Sequence, residues 1–126
     1  MTKKQTTLES SKLASIIGDI IDDRKGEDIL LMDLRKIDGA VTDYFVICTA
    51  NSTTQASGIK DAIEEKVKIA AGEKPWHIEG TSQLEWVLMD YVNVVVHIFL
   101  AEKRDFFNLE GLWADAKIKE IKTAEN

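Results

Sequence analysis

A chain of 126 residues with 44% hydrophobic and 30% charged side chains has the size and composition of one globular domain, able to build a core without disulfides or metals. The formal charge of −6, with Lys and Arg dispersed among more numerous acids, argues against general nucleic-acid binding and fits a basic protein surface as partner. No apolar stretch is long enough to span a bilayer, Met1 to Ser11 is polar without a signal-peptide pattern, and the single cysteine, Cys48, cannot form an intrachain disulfide, so no membrane association and a cytoplasmic location are expected.

Leu13, Ile16, Ile17, Ile20 and Ile21 recur at the spacing of one helix face, which predicts a first helix stopping at Gly26. Asp28 to Arg35 predicts a first strand, turn residues follow from Ile37 to Ala40, and Tyr44 to Thr49 predicts a second strand antiparallel to the first. Cys48 within it reads as a small core hydrophobe. Asn51, Ser52 and Thr53 offer caps to a long helix with Ala56, Ile59, Ile63, Val67 and Ala70 on one face, Lys60, Glu64 and Lys68 on the other, and Gly72 at its end.

Pro75 to Glu79 predicts a short edge strand, where proline is tolerated. Trp86 to Asp90 and Asn93 to Phe99 predict two more strands, and their apolar runs at both parities predict burial on both faces. Val92-Asn93 stands where a tight hairpin would turn, yet a β-branched residue resists positive φ, so a connection longer than two residues is expected. A helical segment from Lys103 to Trp113 follows. The expected architecture is α/β (α+β), a single domain over residues 1–116 with a mixed five-stranded sheet flanked by helices. Residues 117–126 read as a charged, frayed tail whose removal after Ala116 leaves folding and binding intact.

Chemistry has few candidates. His97 is the one histidine in a buried run, and with only His77 and Cys48 as further soft ligands no metal-binding spacing occurs; a sheet histidine bonded to a neighbouring carboxylate, Asp43 or Asp90, is expected instead. A capped helix following a strand also occurs in nucleotidyltransferases, but no Gly-Ser dipeptide and no Asp-x-Asp pair is present, so two-metal chemistry lacks its ligands. Trp86 and Trp113 are core aromatics or contact residues, tryptophan being the type most enriched at interface hot spots.

The ordered set Lys25-Gly-Glu-Asp28, Thr42-Asp43, Thr49-Ala-Asn-Ser52, Glu79-Gly80, Trp86 with Asp90, Val94-Val-Val-His-Ile-Phe99, Arg104 and Leu109-Glu-Gly-Leu-Trp113 resembles the RsfS/Iojap ribosomal silencing factor family. Many members carry Gly where Ala50 stands and Gly-Asp where Val92-Asn93 stands. The resemblance implies a nucleotidyltransferase-like core without catalytic residues, no cofactor or metal, and no enzyme activity. It implies binding to the large ribosomal subunit through large-subunit ribosomal protein fourteen, which blocks joining of the small subunit and represses translation. The residues expected to contact that partner are Asp43, Tyr44, Trp86, Asp90, Arg104, Phe107, Leu109 and Trp113. A nucleotide-dependent transferase with an unrecognised site is the alternative, and an exposed sheet edge with spare aromatics is compatible with a homodimer.

Overall fold

The computed structural model describes residues 9–113 and 115–121. In chain order the elements are α1 (Ser10–Asp23), β1 (Glu27–Asp33), β2 (Tyr44–Ala50), α2 (Thr53–Ala71), β3 (His77–Glu79), β4 (Trp86–Asp90), β5 (Val94–Leu100), α3 (Ala101–Phe107), α4 (Leu109–Leu112) and β6 (Lys117–Ile121). The strands form one mixed sheet in the order β3-β4-β5-β2-β1-β6, in which β2 and β5 run parallel and every other pair is antiparallel. The two central strands are those apolar at both parities, and all seven residues of β2 are buried. Cys48 lies within β2, where burial pushes its thiol up to about 12 and leaves it unreactive at neutral pH.

Helices α1 and α2 cover one face. Leu13, Ile17 and Ile21 from α1 and Ile59, Ile63 and Val67 from α2 pack on Val46, Cys48, Val94, Val96 and Ile98. Ser52 caps α2 by accepting the Gln55 N–H at 3.0 Å, and Gly72 ends it in the left-handed conformation. Ala71, not the expected Ala70, completes the buried stripe: Ala70 is exposed.

Two expectations are corrected. The sheet has six strands rather than five, because Lys117–Ile121 pairs antiparallel with β1 along Ile29–Asp33 in place of a frayed tail; residues 122–126 lie outside the described residues. Its anchor is Ile121, which packs into the helix-side core at Gly18 and Leu31, where any Cβ on Gly18 would collide with it. Truncation after Ala116 is therefore expected to cost ~2 kcal/mol, the scale of uncovering one apolar side chain, and to unpair the edge of β1. Chemical denaturation of the two lengths checks this, and equal midpoints would reject it.

The β4–β5 connection, Tyr91, Val92 and Asn93, is longer than two residues as expected, but its valine does take the positive φ that a β-branched residue resists. The Tyr91 N–H donates to Val94 O at 2.8 Å and closes a turn over Val92 and Asn93, with Val92 at φ 78°. The strained valine is held from three sides. Asp90 Oδ1 accepts its N–H at 2.7 Å, the Thr42 hydroxyl donates to its carbonyl at 2.9 Å, and the N–H groups of Asp43 and Tyr44 both point at Asn93 O. These long-range bonds override the local preference against positive φ.

Candidate functional site: an aromatic sheet face

Strand alternation sends Trp86 and Leu88 from β4, Val95, His97 and Phe99 from β5, and Phe45 and Ile47 from β2 to the face opposite α1 and α2. Among the described residues, the short helices α3 and α4, the chain leading to β6 and Leu34, Ile37 and Ala40 of the β1–β2 connection lie against this face. Its aromatic rings form a connected cluster. Trp86 stacks on Phe99 with centroids 4.9 Å apart and meets Phe107 at 4.5 Å, Phe45 stands edge-on to His97 at 4.7 Å, and Trp113 stands edge-on to Phe45 at 5.9 Å. Gly80 lets the chain pass beneath Trp86: it sits at φ 87°, and a Cβ there would strike the Trp86 carbonyl.

His97 lies at the centre of this cluster, 3% exposed. Its hydrogen-bond partner is not a carboxylate, as expected from the sequence, but the Trp86 indole, whose Nε1–H donates to His97 Nδ1 at 3.0 Å. The Asp90 carboxylate is spent on the Val92 N–H, and Asp43 enters the sheet through backbone bonds to Leu34 and Asn93. An accepting Nδ1 places the ring proton on Nε2, which is buried and has no hydrogen-bond partner among the described residues. Burial pushes the imidazole pKa down to about 4, because no adjacent charge compensates the lost hydration of the cation.

This arrangement has a pH consequence. The folded pKa lies below the unfolded value near 6.5, so the unfolded chain binds the extra proton between about pH 4 and 6.5. Stability from neutral His97 is fully present above that window and is lost on acidification through it, about 3 kcal/mol at most on this scale. His97→Gln is expected to lower stability by ~1–3 kcal/mol at pH 7 and to flatten the pH 4–6.5 limb. Denaturation midpoints for both proteins across that range test this; parallel curves would exclude His97 as the titrating group.

Arg104 ties the covering segment to the sheet. It is 8% exposed, and its Nη1 donates to Asp28 O at 2.6 Å and to Thr49 Oγ1 at 2.8 Å, while Nε donates to Glu110 Oε2 at 3.1 Å. The Asp28 carbonyl reaches it because β1 is irregular between Glu27 and Leu30, with Asp28 at φ 50°. Asn108, left-handed at φ 47°, breaks the helix between Phe107 and Leu109.

The expected contact residues thus divide into two groups. Trp86, Asp90, Trp113 and Asp43 are half-buried, and Phe107 is 39% exposed. Tyr44, Arg104 and Leu109 are buried. Tyr44 belongs to the helix-side core, with its hydroxyl 3.4 Å from Asp33, whereas Leu109 packs beneath the aromatic face. The Asp33 carboxyl is itself held down to about 2, chiefly by the hydrogen bond from Arg35. Phe45, Phe99, Thr49, Glu110 and the exposed Leu112 were not among the expected site residues, although the parity of β2 and β5 assigns Phe45 and Phe99 to the face that carries His97. Among the described residues, no group of three or more His, Cys, Asp and Glu is placed to hold a metal, and no helix is long and apolar enough to cross a membrane.

Comparison with known proteins gives a consistent result. Residues 7–126 match the family model described as ribosomal silencing factor during starvation, RsfS. The chain is 35% identical over 114 residues to the ribosomal silencing factor RsfS of Bacillus subtilis, covering 90% of this chain and 95% of that protein. It is 35% identical over 97 residues to the chloroplastic protein Iojap of Zea mays, covering 73% of this chain and 39% of that protein. A crystal structure of a Chromobacterium violaceum protein superposes with a TM-score of 0.80 at 28% identity, covering 94% of this chain and 98% of that one.

Proposed function

We propose a mode of action from one premise: the chain belongs to the RsfS family of ribosomal silencing factors. It binds the large ribosomal subunit through large-subunit ribosomal protein fourteen, occludes the surface that the small subunit needs, and so represses translation without a catalytic step. The observation that carries this reading is the aromatic face, where Trp86 is half-buried on a stack of rings while Phe107 and Leu112 project from a thin cover. Rigid aromatics half-exposed on a sheet are the material of interface hot spots. The buried Tyr44, Arg104 and Leu109 support that surface from beneath, and Asp43 and Asp90 stand at the turn end of the sheet as acidic contacts for a basic protein.

Size suffices for the block. A compact chain of this length has a radius of gyration of roughly 14 Å and a diameter of roughly 35 Å, too thick for a close subunit contact. Lys117 and Lys119 along β6 blunt that sheet edge against pairing with a second chain, so a homodimer formed by strand pairing would use the other edge, β3. Co-sedimentation with purified large subunits, followed by addition of small subunits, is the direct test. Binding to large subunits with loss of joined ribosomes is expected; joining that proceeds unhindered at micromolar protein rejects the proposal.

A further inference from the structure

His97 is held by a bond that its own protonation must break. The Trp86 indole N–H can only donate, so its 3.0 Å contact fixes the imidazole as the tautomer with a bare Nδ1 and the proton on Nε2. A second proton can enter only at Nδ1, the atom to which the indole N–H points. Two N–H groups cannot face one another at that distance, and one of the two rings has to move. His97 is the fixed one: it is buried in the middle of β5, between β4 and β2, with Phe45 edge-on to its ring and Phe99 parallel to it. Trp86 is half-buried on β4, where its ring meets the exposed Phe107, and it has solvent to move into.

No charged group stands by to hold the resulting cation in place. Of the elements packed on this face, β4 brings Asp90, whose carboxylate is spent on the Val92 N–H, while Arg104 of α3 and Glu110 of α4 bond one another. Lys103 of α3 pairs with Glu85, and Arg35 of the β1–β2 connection pairs with Asp33. The remaining charges are Glu102 and Asp105 of α3, Asp115 ahead of β6, Asp43 ahead of β2, and Lys36 and Asp38 of the β1–β2 connection; burial alone acts on the imidazole, so none of them offsets it. We propose that His97 and Trp86 form an acid-operated latch: a proton taken from solvent at Nδ1 expels the indole and lets water reach the imidazolium, while the Arg104 anchor and the helix-side core stay in place. The opening is local because Arg104 bonds Asp28, Thr49 and Glu110 rather than either ring, and because strand parity puts Val94, Val96 and Ile98 on the other face of β5. On the reading of function given above, the latch also withdraws the main contact with the large subunit in acid; the latch itself is a property of the free chain and stands or falls without that reading.

The test titrates the isotope-labelled full chain from neutral pH down through the folded value of about 4, following by nuclear magnetic resonance the His97 ring nitrogens, the Trp86 indole N–H and the methyl groups of Ile17, Ile63 and Val96 in the helix-side core. His97 Nδ1 and the indole N–H are expected to change together at one midpoint, while the three methyl signals keep their native positions. His97→Gln offers the indole an amide oxygen and no site for the proton, so its Trp86 signal is expected to stay constant over the same range. Trp86→Phe removes the opposing N–H, and the His97 midpoint is expected to rise by about one pH unit, the worth of a hydrogen bond that favours the neutral ring. The proposal is overturned by an indole that stays bonded while His97 titrates, by methyl signals lost at the same midpoint as the indole, by an indole that still moves in His97→Gln, or by an unchanged midpoint in Trp86→Phe.

Discussion

Replacing Trp86 by alanine is expected to weaken binding to the large subunit by at least ~2 kcal/mol, about 30-fold, the most damaging single change on the aromatic face. The indole serves two purposes there. Its ring contacts both Phe99 and Phe107, and its Nε1–H is the hydrogen-bond donor for His97 Nδ1. Truncation therefore removes contact area and leaves a second unsatisfied nitrogen on a ring whose Nε2 already lacks a partner among the described residues. A fall in stability accompanies the loss of binding, so the two must be separated. Trp86→Phe keeps an aromatic platform without the N–H and is expected to recover most of the binding while retaining the stability cost of the missing hydrogen bond. Binding measured on the folded fraction decides: a folded Trp86→Ala that binds like the wild type would show that the residue belongs to the core alone.

Arg104→Ala is expected to be the most destabilising substitution in the covering segment, by ~2–4 kcal/mol. Removing one member of a buried charged network strands its partners, and here they are the Glu110 carboxylate, the Asp28 carbonyl and the Thr49 hydroxyl. The lower part of that range allows for Glu110, whose side chain is 28% exposed and so partly solvated. Arg104→Lys should rescue little. The guanidinium bonds three groups in diverging directions through Nε and Nη1, a geometry that a single ammonium cannot reproduce. Because the same side chain fastens α3 to β1 and β2, hydrogen exchange should rise first in Ala101–Leu112 and then in the rest of the sheet. Uniform exchange, or a loss below ~0.5 kcal/mol, would show that Arg104 does not hold the cover in place.

Val92 illustrates how local and global preferences divide this fold. Helical periodicity placed α1 and α2, the Ser52 cap and the Gly72 terminus follow from side-chain chemistry within a few residues, and unbroken apolar runs placed β2 and β5 at the centre of the sheet. These features depend on neighbours in the chain, so the sequence by itself determined them, as it determined family membership through motifs in a fixed order.

What only the tertiary structure decided depends on residues far apart. The five residues of β6 carry no strong strand pattern and are mostly exposed; they become a strand because β1 offers an unpaired edge and Gly18 leaves room for Ile121. Val92 adopts a conformation unfavourable for a β-branched residue because Thr42, Asp90 and the backbone of the second strand hold its turn. His97 bonds an indole eleven residues away rather than a carboxylate, since strand parity puts Trp86 on its own face while Asp90 is drawn to the turn. Arg104 likewise takes its meaning from Asp28 and Thr49, contacts that no local pattern encodes. The reason is common to all of them: hydrogen-bonding demand and burial are properties of the assembled sheet, and each buried polar group settles on whichever distant partner the packing brings within reach.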